Sequence, residues 1–128
     1  MPSRVRAFLY NENVDRLVDE MSDSMQRLSD AGCNRIILAC NTSHLFLPRI
    51  YVKVPDLEGK VVHIIHTYVA RINEDNVKKV YLLGSEGTIE SGIYQRELEK
   101  KGIECSVPDR DEYGMLRECI EAVKQNKY

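Results

Sequence analysis

The sequence contains no apolar run approaching the roughly 20 residues that a membrane-spanning helix needs. It also lacks the long apolar core and small-residue cleavage site of a signal peptide, because Met1 to Arg6 leads only into a short apolar patch. A dense basic block is missing too. Lys53, Lys60, Lys78 and Lys79 read as solvated loop and strand ends, and 18 Lys and Arg against 20 Asp and Glu leave a formal net charge of -2. That balance argues against a nucleic-acid or membrane-surface partner. The four cysteines, Cys33, Cys40, Cys105 and Cys119, form no CxxC pair and no zinc-type spacing. Without an export signal, reduced thiols in a soluble, cytoplasmic protein are the expectation. Glycine and proline are scarce, at 7 and 4 of 128 residues, so no stretch reads as disordered. What remains is 43% hydrophobic and 30% charged, which suits one α/β domain over residues 1–128 that buries most of its apolar surface.

Arg4 to Tyr10 alternates as a strand does. Val14, Leu17, Val18, Met21, Met25, Leu28 and Ala31 then recur at helical spacing and make one apolar stripe. Asn11 or Asn13 is a candidate cap, and Gly32 a left-handed stop. Arg35 to Cys40 is a β-branched apolar run, the pattern of a buried parallel strand. Polar residues from Asn41 to His44 end it, and a short helix is expected from Leu45 towards Ile50. Pro55 to Lys60 reads as a surface loop or a junction between two lobes. Val61 to Ile65 reads as a strand with a helix from Thr67 towards Asn73, and Lys79 to Leu83 as another buried strand. Ile89, Ile93, Tyr94 and Leu98 mark a helix that Gly102 ends, and Ile103 to Val107 a short strand. Asp109 and Glu112 have capping-box spacing before a last helix with Tyr113, Leu116, Ile120 and Val123 on its inner face. Strands alternating with helices predict a three-layer α/β fold with a mainly parallel sheet.

In open α/β sheets ligands bind at the carboxyl ends of the strands. Two turns belong to that edge, Cys40 to His44 and Gly84 to Thr88. Both present hydroxyls and backbone N–H groups at a helix start, which suits a carboxylate or phosphate. Gly84 to Thr88 lacks the Gly-Lys-Ser/Thr ending of a P-loop, so nucleotide binding is the weaker reading. A thiol at the head of a helix is favoured as thiolate, a better base and nucleophile. The competing reading of Cys40 is a buried structural cysteine; Cys33, Cys105 and Cys119 are read that way, as small hydrophobes. His63 and His66 have helical metal-ligand spacing, but on a strand positions three apart face opposite sides, so no metal is expected there. His44 reads as a satisfied hydrogen-bonding residue near the site.

Ala39-Cys40-Asn41-Thr42-Ser43-His44 resembles the Cys-Asn-Thr-small-His motif of the aspartate/glutamate racemase family. The resemblance continues through Val61 to His66, Lys79 to Tyr94 and Gly102 to Pro108, so it covers nearly the whole chain. It implies a racemase or epimerase that uses no pyridoxal and no other cofactor, acting on aspartate, glutamate or a related amino acid. Two thiols flank the α-carbon; one thiolate removes the α-proton and the other thiol returns a proton to the opposite face. By this resemblance Cys40 is one acid/base, Asn41, Thr42 and Asn11 contact the substrate, and Thr88 and Ser91 hold a carboxylate. Hydantoin racemases and maleate isomerases share the fold and a cysteine in this region; the Thr88 to Ser91 turn leans towards amino-acid racemases.

The sequence departs from the family in two places. Members begin with a Gly-rich first strand and turn, and they carry a second cysteine in a late Gly-Cys-Thr-Glu-like motif. The resemblance therefore implies the middle of a two-lobed racemase, truncated at both ends. The alternative function is a non-catalytic ligand-binding or assembly protein that lacks the second cysteine. Unpaired strand edges and an apolar helix stripe without full cover lead to the expectation of a two-fold homodimer.

Overall fold

The computed structural model describes residues 1 and 3–128; Pro2, within the stretch read above for a leader, lies outside them. The chain divides into two compact units, Met1–Tyr68 and Val69–Tyr128. The division falls inside a helix, beyond the Pro55 to Lys60 segment that the sequence marks as a junction.

The first unit runs through α1 (Arg4–Tyr10), α2 (Val14–Asp30), β1 (Ile36–Ile37), a 3-10 turn (Asn41–Phe46), α3 (Leu47–Lys53), β2 (Val61–Val62) and the start of α4 (Ile64–Glu74). The helical stripe of α2 is buried from Leu17 to Met25, but Leu28 is 46% exposed and Ala31 stands at the cap, outside the helix. Leu17, Val18, Met21 and Met25 are buried and pack with Phe46, Leu47, Ile50 and Leu57. Burying each such side chain contributes about 1.5–3 kcal/mol. Asn13 occupies the cap position in a left-handed conformation without a side-chain bond, so the expected cap is one of position only. The far end closes as a Schellman motif. Gly32 adopts φ +90°, its N–H donates to the Ser29 carbonyl, and the Cys33 N–H donates to the Leu28 carbonyl.

Arg4–Tyr10 is a helix, not the strand that its alternation predicts. The ends decide this. The Ser3 hydroxyl accepts from the Arg6 N–H at 3.3 Å, and Asn11 closes the other end in the left-handed region at φ 54°. Ala7 is buried against the same core, and α1 packs on both α2 and the Asn41–Phe46 turn. The strand expected over Arg35 to Cys40 narrows to Ile36–Ile37, paired in parallel with Val61–Val62. The strand expected to Ile65 stops at Val62, because His63 starts α4. The His66 N–H meets His63 Nδ1 at 3.4 Å and the Thr67 N–H donates to the His63 carbonyl at 3.0 Å. The imidazole thus serves one of the donors that a helix start leaves open.

The second unit holds the rest of α4, β3 (Lys79–Tyr81), α5 (Glu86–Ser91), α6 (Ile93–Glu99), β4 (Glu104–Ser106), a 3-10 turn (Arg110–Glu112) and α7 (Tyr113–Lys124). The helix expected across Ile89 to Leu98 is broken at Gly92, whose φ of +65° is a conformation that glycine adopts freely. β3 and β4 pair in parallel, with Val80 opposite Cys105. β3 is less buried than its apolar run predicts: Tyr81 is 59% exposed. Asp109 and Glu112 form the expected capping box. Arg117 pairs with Glu86, and the Tyr113 hydroxyl donates to Glu90 at 2.9 Å, so α7 is tied to α5 mainly by polar contacts. Its inner face is only half-buried, and Val123 is 62% exposed. The protein is thus α/β, and every strand pair among the described residues is parallel, one pair in each unit. Parallel pairing requires a long crossover, which α3 supplies in the first unit and α5 with α6 in the second.

Candidate functional site

Cys40 stands three residues past β1, in an extended conformation, at the head of the Asn41–Phe46 turn. The apolar run of β1 carries the chain out of the core, and the polar Asn41 to His44 sequence turns it back. Thr42, Ser43 and His44 are all buried by that turn, while Cys40 and Asn41 are half-buried. Cys40 Sγ lies 3.4 Å from Thr42 Oγ1. Burial on its own raises the Cys40 pKa. Hydrogen bonds from the Ser43 hydroxyl, the Thr42 hydroxyl and the Ser43 N–H, with the charge of Arg4, outweigh it and lower the thiol from 9.0 to about 7. A group poised there holds and releases a proton with similar ease at neutral pH.

The thiol opens onto a cavity of about 250 Å³ whose lining includes Arg4, Met21, Met25, Ile37 and Leu38. Arg4 reaches it because α1 packs against the turn. Behind the thiol, His44 Nδ1 lies 2.9 Å from the Cys40 carbonyl, and the Ile64 N–H points to His44 Nε2 at 3.3 Å. Burial lowers the pKa of His44. The ring of His63 lies 4.6 Å from that of His44 and stacks on His66 at 3.8 Å. His63 and His66 thus stack across a helix start and do not face opposite sides of a strand, the arrangement that their place in an apolar run predicts. Among the described residues no group of three His, Cys, Asp or Glu side chains is arranged to hold a metal ion.

The structure brings Cys40, Asn41 and Thr42 together in one turn of the first unit. Asn11 lies in the same unit, exposed, at the end of α1. Thr88 and Ser91 are in the second unit, on α5, and both are buried. The Thr88 hydroxyl lies 3.2 Å from that of Ser85. The Ser91 hydroxyl donates to the Thr88 carbonyl at 2.8 Å and accepts from the Ile93 N–H at 3.4 Å. Its proton is therefore committed to the bend at Gly92. Two contributors to the thiol go unassigned from sequence. Ser43 had a signal, since it stands third past Cys40 at the start of the turn, a position whose N–H commonly serves a helix-start side chain. Arg4 had none, because 36 residues separate it from Cys40 and only the packing of α1 brings it near.

A family model described as Asp/Glu/Hydantoin racemase matches residues 2–127. A broad-specificity amino-acid racemase of Bacillus subtilis is 31% identical over 111 residues, which is 87% of this chain and 47% of that protein. A glutamate racemase of Roseobacter denitrificans is 38% identical over 101 residues, 70% of this chain and 38% of that protein. The solved aspartate racemase of Picrophilus torridus superposes with a TM-score of 0.73 at 26% identity, over 98% of this chain and 56% of its own. An aspartate racemase homologue from Pyrococcus horikoshii gives 0.73 at 29% identity, over 91% of this chain and 50% of its own. The chain thus spans about half the length, or less, of the relatives it matches.

Proposed function

Because the chain belongs to the Asp/Glu/Hydantoin racemase family, we propose that the Cys40 thiolate removes the α-proton of an amino acid such as aspartate or glutamate, without pyridoxal. The observation that carries this reading is the thiol itself, half-buried at the end of a parallel strand with a hydroxyl 3.4 Å from its sulfur. In the forward step the S–H bond forms as the Cα–H bond breaks, and the electron pair stays on the substrate as a carbanion. Donors from Asn41 and Thr42 stabilise that charge where it develops. As the family resemblance implies, Asn11 contacts the substrate, and Thr88 and Ser91 hold a carboxylate group. Return of a proton to the opposite face needs a second acid. The names of the relatives, two amino-acid racemases among them, support this substrate class.

A second reading, a non-catalytic ligand-binding or assembly protein, is favoured by the Ser91 hydroxyl, whose proton is already engaged by the Thr88 carbonyl. Chiral chromatography after incubation with L-aspartate and L-glutamate separates the two. Appearance of either D-enantiomer supports racemisation; its absence together with saturable substrate binding supports the second reading. In either case a two-fold homodimer is proposed, since Ile37 is 70% exposed in the first unit and Leu83 is 65% exposed in the second. Sedimentation at micromolar concentration checks it, and a monodisperse monomer contradicts it. The four free thiols suit a reducing, cytoplasmic setting.

A further inference from the structure

We propose that His44 is the positioning residue of the Cys40 thiol, clamping the thiol-bearing turn to the first amide of α4; this rests on the reading of Cys40 as the reacting group. His44 is 2% exposed, and each of its ring nitrogens is engaged. The Ile64 N–H is a donor, so Nε2 must be the unprotonated acceptor. Nδ1 then carries the hydrogen and donates it to the Cys40 carbonyl at 2.9 Å. The geometry thus fixes one neutral tautomer. A proton on Nε2 would face the Ile64 N–H, and burial opposes it as well.

The two ends of this clamp matter for different reasons. Ile64 is the first residue of α4, whose N–H has no partner inside the helix. Cys40 is the last extended residue before the turn, at φ -154° and ψ 116°. Holding its carbonyl fixes the peptide plane from which Asn41, Thr42 and Ser43 set out. Those residues place the Thr42 hydroxyl 3.4 Å from the sulfur, and with it the Ser43 hydroxyl and N–H lower the thiol's pKa. The ring of His63, tilted by 58°, covers His44 and is itself backed by His66. His44 touches no reacting atom in this scheme; it acts through the turn.

Two near-isosteric substitutions separate the ends. In His44→Asn the side-chain amide nitrogen takes the place of Nδ1 and keeps the bond to the Cys40 carbonyl. In His44→Gln the amide oxygen takes the place of Nε2 and keeps only the bond from Ile64. Alkylation of Cys40 by iodoacetamide, read peptide by peptide across pH, gives the midpoint of its ionisation in the full chain. His44→Asn should keep that midpoint at about 7, whereas His44→Gln should move it upward by at least about half a pH unit. An unmoved midpoint in His44→Gln, or an equal rise in both variants, overturns the proposal. The unsubstituted chain gives a check that needs no variant to fold: nitrogen-15 NMR of His44 should show a protonated Nδ1 and a bare Nε2, and the reverse pattern overturns the clamp. None of these readouts is turnover. A failure of the proton-transfer reading would show instead as an absence of α-proton exchange.

Discussion

Cys40 should react faster than Cys105 near neutral pH, and the advantage can be worked from their surroundings. Cys40 is lowered from 9.0 to about 7, while burial in β4 pushes Cys105 above its ordinary value. Both are half-buried. At pH 7 a thiol of pKa about 7 is about half thiolate, and one of pKa 9 is about one part in a hundred, a ratio of about 50. The more acidic thiolate is the weaker nucleophile, by roughly 6- to 10-fold over that interval. Cys40 should therefore react with an aromatic disulfide about 5- to 8-fold faster than an ordinary thiol at pH 7, and faster still relative to Cys105. The ratio must shrink as pH rises towards 9, because Cys40 is already ionised while Cys105 is still gaining thiolate. Peptide-resolved labelling at several pH values reads both rates in one sample. Equal rates at pH 7, or a Cys40 rate that keeps climbing tenfold per pH unit through pH 8, would show that the turn does not stabilise the thiolate.

Two stability predictions concern the first unit. Ile50 is fully buried between α2 and the turns, so Ile50→Ala should cost about 2–5 kcal/mol; a loss under 1 kcal/mol by urea denaturation would mean that this core is not packed as described. Ser22 is 2% exposed, and its hydroxyl finds no hydrogen-bond partner among the described residues. Ser22→Ala should leave stability unchanged or raise it by up to about 1 kcal/mol, and a clear drop in Tm would reveal an engaged hydroxyl.

The parts of this fold that were legible carry their own local signals. The α2 stripe, its Gly32 stop and the Asp109–Glu112 capping box each lie within a few residues, and each is present. The elements that misled are those in which two periodicities fit the same short run. Over Arg4 to Tyr10 the apolar residues satisfy both a strand and a helix, and only the Ser3 and Asn11 ends separate them. Ile64 and Ile65 continue a β-branched run yet belong to α4, because a histidine, outside the usual capping residues, opens that helix. Gly92 interrupts an otherwise continuous stripe by conformation alone. At the candidate site, the motif from Cys40 to His44 is local, and its residues fall at and within one turn. The contribution of Arg4 was not legible, because it depends on a helix packed from 36 residues away.

If Cys40 takes a proton from the α-carbon of an amino acid, that proton must exchange with solvent. Incubation with L-aspartate or L-glutamate in deuterium oxide, followed by proton NMR of the α-position, tests it directly, since a single base can exchange that proton without completing racemisation. The α-proton signal should be lost with the unsubstituted chain and retained with Cys40→Ser at unchanged secondary structure. Exchange that persists in Cys40→Ser, or no exchange with either protein, would contradict that role of Cys40.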